Sequence, residues 1–169
     1  MLIAFGGLPG TGKTTVAQTL ARNLAAVYLR IDTLEQAFTT ATGHGADIGP
    51  AGYLAGYAVA KDNLRLGLTV VADSVNSLHV TRSAWRSVAL EAGVRIFEIE
   101  LICSDPTVHR LRVEGRKADI AGHELPTWTS VLERQYDAWE SEHLVIDTSI
   151  VSIEQAIETI IHRLSVSTT

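Results

Sequence analysis

One eight-residue motif near the start of the chain restricts its fold more than any other feature. Residues 7–14 read Gly-Leu-Pro-Gly-Thr-Gly-Lys-Thr and match the pattern G-x-x-x-x-G-K-[ST] at every fixed position. An apolar run at residues 2–5 precedes the motif, and apolar side chains at helical spacing follow it. In this strand–loop–helix context, the glycines let backbone N–H groups converge on an anion at a helix N-terminus. The motif therefore predicts a loop that binds the phosphates of a nucleotide.

The residues of this loop have separate expected roles. Lys13 is expected to lie against the β- and γ-phosphates and to act in catalysis, and the Thr14 hydroxyl is expected to bind Mg²⁺. The alternative is a glycine-rich turn with an incidental lysine, which requires all the motif positions to agree by chance. The predicted nucleotide-binding residues of the loop are Gly7, Leu8, Pro9, Gly10, Thr11, Gly12, Lys13, Thr14 and Thr15.

The composition favours one globular domain over residues 1–169, with 46% hydrophobic and 20% charged residues. The net charge of −5 argues against nucleic acid as a partner. Cys103 is the one cysteine, which excludes an intramolecular disulfide and a cysteine-rich zinc site. No apolar run is long enough to span a bilayer, so we expect a soluble, cytoplasmic protein without a membrane partner. The sequence carries no signal for an oligomeric state.

Strand-like apolar runs alternate with helical patterns along the chain. The predicted strands are residues 2–5, 26–29, 68–72, 95–102 and 144–146. This alternation predicts a three-layer α/β fold with a mainly parallel five-stranded sheet flanked by helices. The ligand is expected at the edge where the parallel strands end.

Two aspartates follow predicted strands. Asp73 ends the run Val70-Val71-Ala72-Asp73, where a carboxylate can hold Mg²⁺ directly or through water. Asp32 follows the second strand, where a carboxylate can accept the proton of an acceptor hydroxyl. The alternative for both residues is a helix N-cap, and for Asp32 the two roles are compatible.

Arginines cluster in residues 109–116. Arg112 and Arg116 are four residues apart and would share a helix face, from which guanidinium groups can stack on adenine and grip phosphate oxygens. Arg116 is the predicted catalytic arginine. The alternative is a solvated helix face with ordinary ion pairs, such as Glu114 with Arg110.

Three weaker predictions concern the acceptor side of the site. Asn76 and Arg82 follow the third strand and could contact the acceptor, although turn or surface roles are the alternative. Residues 43–56 contain five glycines and a proline, which predicts a flexible flap or, equally, a solvent loop with no role.

These motifs together resemble the P-loop kinases that include polynucleotide kinase, zeta toxin, gluconate kinase and chloramphenicol phosphotransferase. The resemblance extends over residues 1–149. Besides the phosphate loop, the residues that carry it are Arg30-Ile31-Asp32, Val70-Val71-Ala72-Asp73, Arg112-x-x-Gly115-Arg116 and Val145-Ile146-Asp147-Thr148.

The resemblance implies a P-loop NTPase fold and ATP as the nucleotide. It also implies that Arg112 covers the adenine, that Arg116 touches phosphate, and that residues 117–125 form a short lid which closes over ATP. Closure of such a lid would exclude water and suppress hydrolysis of the nucleotide.

One departure from the pattern of these kinases bears on the acceptor. Polynucleotide and nucleoside-monophosphate kinases commonly have an arginine three residues after the aspartate, whereas this chain has Glu35. A carboxylate about 4 Å from an acceptor phosphate would cost about 1–4 kcal/mol. The expected activity is therefore transfer of the γ-phosphoryl group of MgATP to a hydroxyl of a sugar, polyol, nucleoside or antibiotic. The alternatives are a 5′-hydroxyl polynucleotide kinase and a nucleotide-binding switch.

Overall fold

The structure, a computed structural model, describes residues 1–43 and 47–166. In chain order, its elements are β1 (Leu2–Gly6), α1 (Lys13–Asn23), β2 (Val27–Arg30), α2 (Ile31–Thr42), α3 (Ala51–Arg65), β3 (Val70–Asp73), α4 (His79–Glu91), β4 (Ile96–Ile102), α5 (Pro106–Gly115), α6 (Trp128–Leu132), β5 (Leu144–Asp147) and α7 (Ile153–Val166).

The five described strands form one sheet in the order β2-β3-β1-β4-β5, and every pairing between them is parallel. This arrangement confirms the predicted α/β fold with a parallel five-stranded sheet. Because β1 lies between β3 and β4, the strand order reverses around it, and the loop after β1 opens at the point where ligands bind in such sheets.

Strand β1 is apolar throughout because both faces of the sheet are covered. Ile3 and Phe5 point towards α1 and α7, whereas Leu2 and Ala4 point towards α3 and α4, and all four side chains are fully buried. The two resulting cores fix the end of β1, and with it the start of the loop that follows, in the middle of the molecule.

Part of the glycine-rich segment 43–56, which the sequence predicted to be a flexible flap or a solvent loop, is helical. Helix α3 begins at Ala51, so Gly52 and Gly56 lie inside a helix, and Gly45 lies outside the described residues. A Cβ on Gly52 would lie 2.3 Å from Cγ of Glu35, and a Cβ on Gly56 would lie 2.5 Å from Cδ1 of Ile31. These two glycines therefore allow α3 to pack closely against α2.

The segment after α6 has no regular secondary structure. Helix α6 ends at Leu132, and residues 133–143 form an irregular segment that leads to β5. Trp139 packs against the end of β1, where a Cβ on Gly6 would lie 2.6 Å from its ring. Among the residues that the structure describes, no helix is both long and apolar enough to cross a membrane.

Candidate active site

The loop between β1 and α1 has a backbone conformation that requires glycine. Gly7, Gly10 and Gly12 have φ values of +132°, +85° and +86°. A Cβ on Gly7 would lie 2.1 Å from the carbonyl oxygen of Leu101, and a Cβ on Gly10 would lie 2.5 Å from Cγ2 of Val113. The curled loop ends at the first turn of α1, so its backbone N–H groups and the helix N-terminus face one concave space.

Lys13 is buried inside this loop. Its Nζ donates a hydrogen bond of 2.8 Å to the carbonyl oxygen of Leu8, so the ammonium group caps the loop from within. Burial lowers the pKa of Lys13 from 10.5 to about 8, against the smaller raising effects of Asp73 and Asp32. A phosphate bound in the loop would form an ion pair with the ammonium group of Lys13.

A cavity of about 640 Å³ opens on the α7 side of the loop. It is lined by the loop glycines, by both predicted arginines, by lid residues and by the segment between β5 and α7. Arg112 is held at its edge by hydrogen bonds to Oγ1 (2.8 Å) and the carbonyl oxygen (2.9 Å) of Thr148. Oγ1 of Thr148 in turn lies 2.9 Å from the carbonyl oxygen of Thr11 in the phosphate loop. This cavity therefore has the position and lining expected for a nucleotide.

A second cavity, of about 560 Å³, opens on the α2 side of the same loop. Polar residues from the first turns of α2, from the end of β3, from α3 and from residues 123–134 surround it. The charged and polar groups that face it include Asp32, Glu35, Tyr53, Asp73, His123, Glu124 and Arg134. Lys13, Thr14 and Arg116 line both cavities, so the two spaces meet at the phosphate loop.

The residues at this junction have the chemistry of a magnesium site. Asp73 lies at the carboxyl end of β3 and lines the same cavity as the Thr14 hydroxyl, which gives two hard oxygen donors beside the loop. The hydroxyl of Tyr28 donates to Oδ2 of Asp73 at 2.7 Å and fixes this carboxylate, and burial followed by the charge of Asp73 raises the pKa of Tyr28. No group of three or more His, Cys, Asp and Glu side chains within residues 1–43 and 47–166 could hold a metal by itself. The donors thus suit an ion completed by phosphate oxygens and water.

Asp32 and Glu35 lie on one face of the first turns of α2. Asp32 is inside the helix, not at its N-cap, which is Arg30, so the N-cap alternative for Asp32 is wrong. Burial, followed by the charge of Asp32, raises the pKa of Glu35. The two carboxylates therefore form an acidic wall of the second cavity.

Arg82 and Asn76 occupy different positions from those that the sequence predicted. The Arg82 side chain is fully buried, and its guanidinium donates to the carbonyl oxygens of Asn76, Ser77, Asp137 and Ala138 at 2.8–3.2 Å. It also lies 4.7 Å from the ring centroid of Trp139. Neither Arg82 nor the buried Asn76 lines the second cavity. The prediction that they contact an acceptor is corrected: Arg82 ties residues 137–138 to the loop after β3.

Three residues of the site were missed by sequence reasoning. Tyr28 orients Asp73, His109 supports the phosphate loop, and Asp119 pairs with Arg30. Each contact joins residues 45, 100 or 89 positions apart in the chain. No local spacing or motif marks them, because strand order and loop path bring them together.

The sheet and its loop define a P-loop NTPase-like α/β fold. The AAA_33 family model, described as an AAA domain, matches residues 2–140. The chain belongs to this family.

One relative by sequence and two solved structures match most of this chain. A protein of Aeropyrum pernix described as a probable adenylyl-sulfate kinase is 29% identical over 153 residues, which cover 88% of this chain and 83% of that protein. The Mycobacterium tuberculosis APS kinase CysC in complex with AMPPNP and APS matches with a TM-score of 0.67 and 19% identity, over 97% of this chain and 96% of that one. A gluconokinase of Sinorhizobium meliloti 1021 matches with a TM-score of 0.64 and 18% identity, over 99% and 97% of the two chains. The predicted resemblance to the gluconate kinase group is thereby confirmed at the level of fold.

Proposed function

We propose that this protein is a kinase that transfers the γ-phosphoryl group of MgATP to a hydroxyl of a small molecule. The observation that carries the proposal is that two separate cavities, of about 640 and 560 Å³, meet at Lys13, Thr14 and Arg116. A nucleotide in the first cavity would present its terminal phosphate to a molecule in the second. The kinase names of the Aeropyrum pernix relative and of the two structural neighbours support the same reaction class.

The nucleotide side is assigned to the phosphate loop and the two arginines. Residues 7–15 receive the phosphates, Lys13 pairs with their terminal charge, and Arg112 at the cavity edge covers the base. Arg116 lines both cavities and can follow the phosphoryl group from one to the other. Thr14 and Asp73 are the residues that would hold Mg²⁺, which when bound supplies neutralisation of charge on the phosphate oxygens.

Asp32 is the proposed catalytic base on the acceptor side. The acceptor oxygen forms a bond to the γ-phosphorus while the bond from this phosphorus to the β,γ-bridging oxygen breaks, and the electron pair of that bond leaves with ADP. The proton of the acceptor hydroxyl passes to the Asp32 carboxylate. Positioning and charge neutralisation supply most of the rate enhancement in such a reaction.

The acceptor is assigned as a neutral or cationic hydroxyl compound, such as a sugar, a polyol, a nucleoside or an amino-sugar antibiotic. Asp32, Glu35 and Glu124 face the second cavity, and Glu35 has no ion pair within 4 Å among the described residues. An anionic group beside Glu35 would be repelled, whereas hydroxyl and ammonium groups could donate to it.

Adenylyl sulfate is the second candidate acceptor, and the Aeropyrum pernix relative is the observation that favours it. Arg134 also lines the second cavity and offers a positive group for an anion. The two candidates differ in what Glu35→Gln does. The substitution should raise KM for a hydroxyl or ammonium acceptor, and it should lower KM for adenylyl sulfate because a repulsive charge is removed.

Acceptor-dependent ADP formation tests the proposed function. Purified protein with MgATP would be assayed against sugars, polyols, nucleosides, aminoglycosides and adenylyl sulfate, with Lys13→Met as the inactive control. Product that carries the γ-phosphoryl group with one class of acceptor supports the proposal. A constant, slow release of inorganic phosphate with every compound would instead indicate a nucleotide-binding switch.

A further inference from the structure

A buried arginine at the end of β2 is shared by two carboxylates from different parts of the chain. The Arg30 side chain is only 4% exposed. Its two terminal nitrogens donate to both carboxylate oxygens of Asp119, which belongs to the lid segment 117–125. The same guanidinium faces Oδ2 of Asp32, the proposed base. Arg30 therefore connects the lid directly to the acceptor side of the site.

The two carboxylates are not held equally. Asp119 binds Arg30 through both of its oxygens, with one short contact from Nη1 to Oδ2 and one of 3.2 Å from Nη2 to Oδ1. Asp32 binds through Oδ2 alone, 3.4 Å from Nε and 3.3 Å from Nη2. With the lid docked, Asp119 thus has the one short contact of the guanidinium, and Oδ1 of Asp32 lies outside the contacts with Arg30.

The docked position of Asp119 also reaches Arg116. Nη2 of Arg116 lies 3.6 Å from Oδ1 of Asp119, and Arg116 lines both cavities. The Asp119 carboxylate therefore contacts two guanidinium groups, those of Arg30 and Arg116. If the lid lifts, Arg30 loses its shortest contact, and Asp32, which it already contacts, is the carboxylate that can replace Asp119.

We infer that Arg30 and Asp119 are positioning residues that make the proposed base available only when the lid covers the site. The inference rests on the proposed role of Asp32. In the lid-docked state, Asp119 has the short contact with the guanidinium, and Oδ1 of Asp32 can accept the acceptor proton. In the lid-open state, Arg30 pairs with Asp32 and occupies the oxygens that the acceptor needs. Proton removal is thereby confined to the state in which water is excluded.

The link between lid and base can be measured without an acceptor. Trypsin cleaves after Arg116 and Lys117, so the cleavage rate at these two positions reports lid docking. Asp119→Asn should raise this rate at least about fivefold, because an amide cannot replace the bidentate ion pair. Asp32→Asn should lower the rate, because Arg30 is then left to Asp119 alone, and coupling between two sites is reciprocal. Glu114→Gln is the control. It removes an exposed ion pair with Arg110 within α5, the helix that precedes the lid, and should leave the cleavage rate unchanged.

The catalytic consequence is measured with whichever compound of the acceptor panel is phosphorylated. Asp119→Asn should lower kcat about tenfold with acceptor KM changed less than about threefold, and Asp119→Glu should recover part of kcat. Unchanged cleavage in Asp119→Asn, or equal cleavage in Asp32→Asn and the unsubstituted protein, would overturn the inference. A loss confined to KM for ATP would overturn it as well. If no compound is phosphorylated, the proposed function fails, while the trypsin measurement still decides whether lid and Asp32 share Arg30.

Discussion

Nε2 of His109 lies 2.8 Å from the carbonyl oxygen of Pro9, so helix α5 holds the phosphate loop by a direct hydrogen bond. Because a carbonyl only accepts, Nε2 carries the proton in this contact. His109 is buried, and its ring packs edge-on against Trp128. The loop therefore rests against a fixed helix, and its open side is left to the ligand.

The first prediction concerns this close contact between loop and helix. Gly10→Ala should weaken ATP binding at least about tenfold, because the new methyl group would meet Val113 and His109 and displace the loop. Gly67→Ala is the matched control. Gly67 has a similar φ of +83° but nothing within 4 Å of an added Cβ. Both variants should lose about 1–2 kcal/mol of stability, and only the first should lose ATP affinity by calorimetry. Equal affinities would contradict the role given to this contact.

The second prediction separates binding from turnover at Asp32. Asp32→Asn should bind ATP at least as tightly as the unsubstituted protein does, because Asp32 lines only the second cavity. Its kcat for acceptor phosphorylation should fall by about 10²–10⁴, since an amide cannot accept the hydroxyl proton. Calorimetry with ATP and a steady-state assay with the acceptor make the comparison. Full activity in this variant would remove the assignment of the base.

The third prediction follows from the lowered pKa of Lys13, which is about 8 in the free protein. Above pH 8 much of this lysine is neutral, and bound phosphates should restore its proton. ATP binding should therefore take up a larger fraction of a proton at pH 8.5 than at pH 7. Calorimetry in buffers of different ionisation enthalpy measures this uptake.

The sign of this linkage is fixed by the direction of the pKa change. Burial disfavours the charged form, so proton uptake on ATP binding must increase as the pH rises through 8 and ATP affinity must fall above that pH. Lys13→Arg serves as the control, because arginine stays charged and should show no uptake at either pH. Proton release at pH 8.5 in the unsubstituted protein would contradict the prediction.

The fourth prediction tests the corrected role of Arg82. Arg82→Met should lower the free energy of unfolding by about 3 kcal/mol or more, because four carbonyl groups lose this donor, and the contacts with two of them are fully buried. Arg65→Met on the exposed end of α3 should change it by less than about 0.5 kcal/mol. Urea unfolding measures both. A variant of Arg82 with unchanged stability and a raised acceptor KM would restore the original prediction that it binds the acceptor.

The sequence predicted the sheet and the phosphate loop because their signals are local. The loop is a contiguous motif, and each strand is an apolar run that ends near a polar residue such as Asp73. The predictions for Arg82 and Gly52 were wrong because the sequence near these residues does not specify their surroundings. A residue's distance from a strand end does not say whether its side chain turns towards the cavity or into the core. Gly52 lies in a helix, where it allows close packing against Glu35, and the sequence alone does not distinguish such a glycine from one in a loop.

Contacts between segments that lie far apart in the chain could not be predicted from the sequence. Asp119 lies 89 residues from Arg30, and the pair depends on the path of the lid over the sheet edge. Tyr28 reaches Asp73 because β2 and β3 are neighbours in the sheet, a strand order that the apolar runs alone do not specify.

The central claim is that the two cavities at Lys13 hold the donor and the acceptor of one phosphoryl group. The most direct measurement supplies ATP labelled in its γ-phosphate and follows the label in the acceptor panel, for the unsubstituted protein and for Asp32→Asn. The account predicts label on the hydroxyl of one class of small molecule, at least about a hundredfold slower in the variant. Label found only in inorganic phosphate, at the same rate in both proteins and with every compound, would contradict it.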